Sequence, residues 1–326
     1  MKGIKNMSKR GKVVIIGAGL VGSSTAFSLV TQGICDEVMI IDINKDKARG
    51  EVMDLCHCVE YLNRNVKVMI GDYKDCSDAD FVVITAGAPP KVNQTRLDTL
   101  ELTARITKSI VGPVMESGFN GHFIVVSNPV DIISYYVYKL SGLPKNQVIG
   151  TGTAMDTARL KHYIGEIIHV DPRSVQGYTM GEHGDSQMCP WSNVMIGGKK
   201  ILDIIEDNEE YKNLNLDDIV KKVTTVGFEI LGIKGTTCYG IASTVVGIIK
   251  AILYDENKII PVSTLLEGEY GEEDVYCGVP VILNRTGVED IIRVRLTEEE
   301  KLKFKKSVGV IREHINKLRS KDEFVL

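Results

Sequence analysis

Lys12-Val-Val-Ile-Ile16 runs straight into Gly17-Ala-Gly19-Leu-Val-Gly22 and then into Ser23-Ser-Thr-Ala-Phe-Ser-Leu-Val30. The first five residues are a continuous apolar run with β-branched side chains, as in a strand buried on both faces of a parallel sheet. The last eight read as a helix. A G-x-G-x-x-G turn is weak evidence alone, but here a strand precedes it and a helix follows. A second strand, Glu37-Val-Met-Ile-Ile41, ends in Asp42, twenty residues beyond Gly22. Each part has a physical task in holding a dinucleotide. Gly17 permits the tight turn, Gly19 lets a pyrophosphate approach the backbone, and Gly22 lets the helix pack close to the strand. The helix N-terminus, at Leu20 and Val21, offers unpaired N–H groups to the phosphates. Asp42 accepts from ribose hydroxyls and repels a 2′-phosphate, which favours NAD over NADP.

Working outward, the alternation continues. Helical spacing at Val52, Leu55, Val59 and Leu62 is followed by strands at Val66–Ile70 and Ala79–Thr85. Gly87-Ala-Pro-Pro90 breaks the chain, a long helix is expected from about Arg96 to Ser117, and strands recur at His122–Val126 and Gln147–Gly150. Six strands with intervening helices predict an α/β chain built on a doubly wound parallel Rossmann sheet. Ligands of such sheets bind beyond the carboxyl ends of the strands. Thr85, Ala86 and Gly87, Ser127 and Asn128, and the first glycine turn would therefore line one crevice. Around residue 150 the pattern changes to mixed strands and long helices. The division expected is an NAD-binding domain over 1–151 and a mixed α+β substrate domain over 152–326.

Composition narrows the function classes. The 326 residues are 44% hydrophobic and 25% charged, with a formal net charge of -4. This is ordinary for a globular chain, and without a Lys/Arg track it argues against nucleic acid as a partner. No run reaches the roughly 20 apolar residues of a spanning helix, so no membrane partner is expected. Seven cysteines without framework spacing fit thiols kept reduced in the cytoplasm. Cys56-His57-Cys58 lies in an expected helix, where residues two apart point about 200° from each other, a poor grip for one ion. No metal is expected.

The chemistry centres on Tyr178-Thr-Met-Gly-Glu-His183-Gly-Asp-Ser186. A histidine between glycines and carboxylates can trade protons near neutral pH, or serve only as a structural donor. Asp156 and Arg159 are three apart on an expected helix and share a face. They are suited to a plain salt bridge, or to orienting His183 and gripping a substrate carboxylate. Arg96, at the end of a loop in the nucleotide half, opens a helix against its macrodipole, which asks for another reason, such as polarising a ketone.

Taken together, these segments resemble the L-lactate and malate dehydrogenase family. The matching stretches are Gly17–Gly22, Thr95-Arg-Leu-Asp98, Ser127-Asn-Pro-Val-Asp131, Gly152–Arg159, Gly181–Ser186 and Lys234-Gly-Thr-Thr237, in the family's order and nearly end to end. The resemblance implies an oxidoreductase that uses NAD and a small 2-oxo or 2-hydroxy acid. His183 is then the proton donor or acceptor and Asp156 its partner, while Arg159 holds the carboxylate and Arg96 polarises the carbonyl. Asn128 and Thr237 border the substrate. It also implies a homo-oligomer, with a tetramer expected.

Within that family, malate enzymes place an arginine on the loop facing the substrate side chain, and lactate enzymes commonly a glutamine. Pro90 aligns there. With no cation in that place a second carboxylate would be buried unpaired, at a cost of several kcal/mol. Glu182, Trp191-Ser192 and Thr237 also resemble the lactate side. Pro90 and Asn93-Gln94 depart from it, which leaves a bulkier apolar 2-oxo acid as an alternative substrate. A non-catalytic NAD-binding protein is the alternative of another class. Bacterial lactate enzymes are often activated by fructose 1,6-bisphosphate through an arginine and a histidine; the matching positions carry Lys161 and Gln176. Elsewhere, Tyr135-Tyr-Val-Tyr-Lys139 has the Tyr-x-x-x-Lys spacing of short-chain dehydrogenases by chance, and Thr297-Glu-Glu-Glu300 is a capping-box start to a packed amphipathic helix.

Overall fold

A computed structural model describes residues 11–88, 99–321 and 324. In chain order the first half runs β1 (Lys12–Ile16), α1 (Leu20–Gln32), β2 (Glu37–Ile41), α2 (Lys45–Cys58), β3 (Lys67–Ile70) and β4 (Phe81–Ile84). It continues with α3 (Leu100–Glu116), β5 (His122–Val125), α4 (Val130–Ser141) and β6 (Val148–Gly150). These strands pair in parallel in the order β6-β5-β4-β1-β2-β3. Val13, Val14 and Ile15 are fully buried, as the uninterrupted apolar run requires of a central strand covered on both faces.

The second half runs α5 (Ala154–Ile168), three short strands β7 (Val175–Gln176), β8 (Met195–Ile196) and β9 (Lys199–Lys200), α6 (Ile201–Asp207), α7 (Leu216–Lys234) and α8 (Tyr239–Leu253). It ends with β10 (Lys258–Glu267), β11 (Glu273–Asn284), β12 (Gly287–Ile291) and α9 (Glu298–Arg319). Gly197 and Gly198, both at positive φ, close the β8–β9 hairpin. α7 ends at Gly235, whose φ of 83° caps it and separates it from α8.

The sheet is larger than the six strands expected. β10, β11 and β12 add to it in antiparallel fashion, so it has nine strands among the described residues, with β10 joined to β6 through Ser263 and Gly150. The alternation signal that announces βαβ units is silent on antiparallel strands recruited from the other half of the chain. β7, β8 and β9 form a separate sheet, beside a second core of Leu160, Ile164, Val175, Trp191, Ile219 and Val223.

α9 buries Phe304, Val308, Ile311, Ile315 and Leu318 against the main core. Its start is the expected capping box: Glu300 N donates to Thr297 Oγ1 at 3.2 Å and Thr297 N to Glu300 Oε2 at 2.8 Å. Tyr135 and Lys139 both reach Asp274, a structural network with no share in the crevice. Among the described residues no helix is long and apolar enough to cross a membrane.

Candidate active site

The glycine turn links β1 to α1 and rests on its neighbours through the backbone. Gly17 N donates to Ile41 O at 2.8 Å and Thr85 N to Ile16 O at 3.0 Å. Gly17 sits at φ 113°, and a Cβ on Gly22 would overlap the Gly17 carbonyl oxygen. Around Gly19 there is open space: nothing lies within 4 Å of where a Cβ would stand. The N-terminus of α1 has no side-chain cap and no acidic residue in its first turn, so its N–H groups remain available to an anion. Asp42 accepts Ala18 N at 2.6 Å through Oδ2 and Asn44 N at 2.8 Å through Oδ1. Each oxygen keeps a lone pair for a ribose hydroxyl. These residues fit NAD.

From the turn a cleft of about 250 Å³ leads to the second half of the chain, lined on one side by Val21, Thr85, Gly87, Ser127 and Asn128. Arg159, His183, Thr236 and Thr237 line the other side. Ser127 Oγ donates to Ala86 O at 2.6 Å, tying two strand ends together beneath it. Leu20 is 62% exposed and is not among the cleft residues; only its place in the first turn of α1 relates it to the nucleotide. Arg96 and Pro90, together with Asn93 and Gln94, lie outside the described residues.

His183, Asp156 and Arg159 are brought together. The Asp156 carboxylate, 1% exposed, meets His183 Nδ1 at 2.5 Å through Oδ2 and accepts Arg159 Nη1 at 3.0 Å through Oδ1. The salt bridge and the histidine partnership left open by the sequence therefore coexist on one carboxylate. Among the described residues Arg159 Nε is buried without a hydrogen-bond partner, and so is Asn128 Oδ1. Buried polar atoms are rarely left unsatisfied, so both mark places where a polar ligand would be accommodated.

The loop that carries His183 is clamped from several directions. Gly181 bridges Gly278 of β11, Glu182 N donates to Ser307 Oγ of α9 at 2.8 Å, and the Glu182 carboxylate takes the hydroxyl of Ser186. His183 N donates to Asp131 Oδ2 at 2.7 Å, and Ser263 Oγ donates to Asp131 Oδ1 at 2.6 Å. Burial pushes the Asp131 carboxyl up to about 6 against these hydrogen bonds, which favour its ionised form. Asp131 stands in the Ser127–Asp131 segment, whose sequence alone assigns it no task. The available signal was a carboxylate at the start of an apolar helix, without a cation nearby in the chain.

At the positions matched to the sugar-phosphate effector site, Lys161 lies 5.8 Å from the Tyr178 ring centroid, its pKa lowered by burial, and Gln176 is exposed on β7.

Comparison with known proteins gives a consistent picture. Residues 11–150 match the lactate/malate dehydrogenase NAD binding domain, and residues 153–322 the lactate/malate dehydrogenase alpha/beta C-terminal domain. The chain is 53% identical over 305 residues to L-lactate dehydrogenase 3 of Bacillus thuringiensis subsp. konkukian, covering 93% of this chain and 96% of the relative. Among solved structures, a ligand-bound minor L-lactate dehydrogenase from Enterococcus mundtii superposes with a TM-score of 0.92 at 44% identity, covering 95% of this chain and 99% of that one. Malate dehydrogenase from Cryptosporidium parvum gives a TM-score of 0.91 at 33% identity, covering 96% of this chain and 100% of that one. The fold is common to both activities, and identity is higher toward the lactate enzymes.

Proposed function

The chain belongs to the lactate/malate dehydrogenase family, and from that premise we propose that it is an NAD-dependent L-lactate dehydrogenase interconverting pyruvate and (S)-lactate. The observation that carries this reading is the meeting of His183, Asp156 and Arg159 across a cleft from the glycine turn. NADH, when bound, supplies the hydride that reduces C2 of the keto acid.

The chain's own residues do the rest. Asp156 accepts from Nδ1 and so leaves Nε2 as the nitrogen that passes a proton to the keto oxygen; it also stabilises the imidazolium that must precede that transfer. Arg159 keeps Nε unspent, a donor for the substrate carboxylate. Asn128 and Thr237 border the substrate, and Arg96 polarises the carbonyl. In the reverse direction His183 takes the proton back. Asp42 favours NAD over its 2′-phosphorylated form. Pro90 offers no cation to a second carboxylate, which sets pyruvate above oxaloacetate.

The finer points carried with this reading are a nucleotide-binding part over 1–151, a substrate part over 152–326, a homotetramer and a cytoplasmic setting. The last is supported by seven free thiols.

The test follows NADH absorbance as pyruvate, oxaloacetate and 2-oxoisocaproate are added in turn. Pyruvate is expected to give the highest kcat/KM. A preference for oxaloacetate would overturn the lactate assignment, a preference for 2-oxoisocaproate would move it to a bulkier 2-hydroxy acid, and no oxidation with any of them would remove the enzymatic reading.

A further inference from the structure

Asp131 is a buried carboxylate with no lysine or arginine paired to it among the described residues, and it is 2% exposed. Keeping an ionisable group in such a place costs stability unless its hydrogen bonds repay the lost water. Among the described residues its hydrogen bonds go to two points. Ser263 Oγ, fully buried on β10, donates to Oδ1 at 2.6 Å, and the backbone N–H of His183 donates to Oδ2 at 2.7 Å.

His183 is therefore held at both ends by carboxylates from different helices. Asp131, in the first turn of α4, holds its backbone, and Asp156, in the first turn of α5, holds its ring. The ring contact alone leaves the residue free to pivot about Nδ1. The Asp131 contact fixes the backbone at His183 itself, beyond what the clamps on Gly181 and Glu182 hold, and Ser263 ties the arrangement to the strand that joins the two halves of the sheet.

We propose that Asp131 is a positioning residue for His183, setting how far the imidazole reaches into the cleft, with Ser263 holding the Asp131 carboxylate in place. The proposal rests on the lactate dehydrogenase reading of this cleft. Misplacing a catalytic group by about 1 Å can cost on the order of 100-fold in rate. Because Asp131 is buried and is not among the residues that line the cleft, its removal falls on kcat.

The experiment compares the full-length protein with Asp131→Ala, Asp131→Asn and Ser263→Ala, measuring kcat and KM for pyruvate, NADH affinity by fluorescence quenching, and thermal melting. Asp131→Ala is expected to lose roughly 30- to 100-fold in kcat, with KM and NADH affinity changed less than about threefold. Asn keeps an acceptor for the His183 N–H and is expected to recover all but about three- to tenfold of the rate. Full activity in Asp131→Ala overturns the proposal, as does a loss of kcat matched by an equal loss of NADH binding, which marks general damage. If Asp131→Ala does not fold, Ser263→Ala decides. A severalfold fall in kcat with NADH binding retained supports the proposal, and an unchanged kcat overturns it. Absence of pyruvate reduction by the wild-type protein would instead strike the underlying functional reading.

Discussion

The Gly17–Gly22 turn and the Gly181–Ser186 loop face the same cleft but are built by opposite means. At the first, glycines clear space and the backbone supplies the binding groups: strand ends, helix N–H donors and an open approach at Gly19. At the second, side chains from α4, α5 and α9 reach in from afar to hold one residue, His183, and its neighbour Glu182. A backbone site is written in consecutive residues, and a site held by side chains is distributed along the chain. The two should therefore fail differently when altered.

The largest effect is expected at the distributed site. His183→Ala should lower kcat for pyruvate by about 10³-fold or more, the scale of losing a general acid and its orientation. NADH binding should stay within a few-fold in a fluorescence titration; equal losses of both would erase the contrast between the two regions.

Next comes the turn. Gly22→Ala sets a methyl group on the Gly17 carbonyl, so backbone has to move rather than a flexible side chain. A stability loss of about 1–3 kcal/mol is expected, the usual scale of overpacking, together with at least a tenfold weaker NADH complex. Melting and titration would read the two losses, and a variant with normal NADH affinity would show that the close helix–strand approach is not what shapes the site.

The smallest effect concerns stability alone. Asp131 has its folded pKa raised to about 6 from 3.8, so the folded state favours its neutral form. The sign follows from linkage: this group costs nothing below about pH 4, and its penalty grows as pH rises through 6. Asp131→Asn should accordingly melt higher than wild type at pH 7.5, by on the order of 1–3 kcal/mol at the upper limit of that linkage, with the gain shrinking toward pH 4.5. A gain that grows on acidification would reverse the assignment. The same variant should be slower in turnover, which separates what the charge does for catalysis from what it costs the fold.

The contrast also explains what could be read in advance. The turn, Asp42 and the parallel strands were legible because each needs residues of fixed type at short spacing: an apolar run, three glycines, an acid at the next strand end. Asp156 and Arg159 were legible as a pair because one helical turn separates them. Asp131 was not, since its partners stand at 183 and 263 and nothing local announces them. β10 to β12 escaped the six-strand expectation for a similar reason. Their pairing with β6 passes through Ser263 and Gly150, two small residues that carry no hydrophobic signal.

That seam has a consequence for recombination. A Cβ on Gly150 would collide with Ser134 Oγ and come within 2.8 Å of the Ser263 Cβ, so β6 has no room for a side chain here between the serines of α4 and β10. Anyone grafting the first half of a relative onto the second half of this chain would have to transplant that glycine and its two serine neighbours as one unit. The sensible crossover therefore lies away from the obvious junction near residue 150, and cofactor preference and acid preference cannot be shuffled as freely as the change of pattern there would suggest.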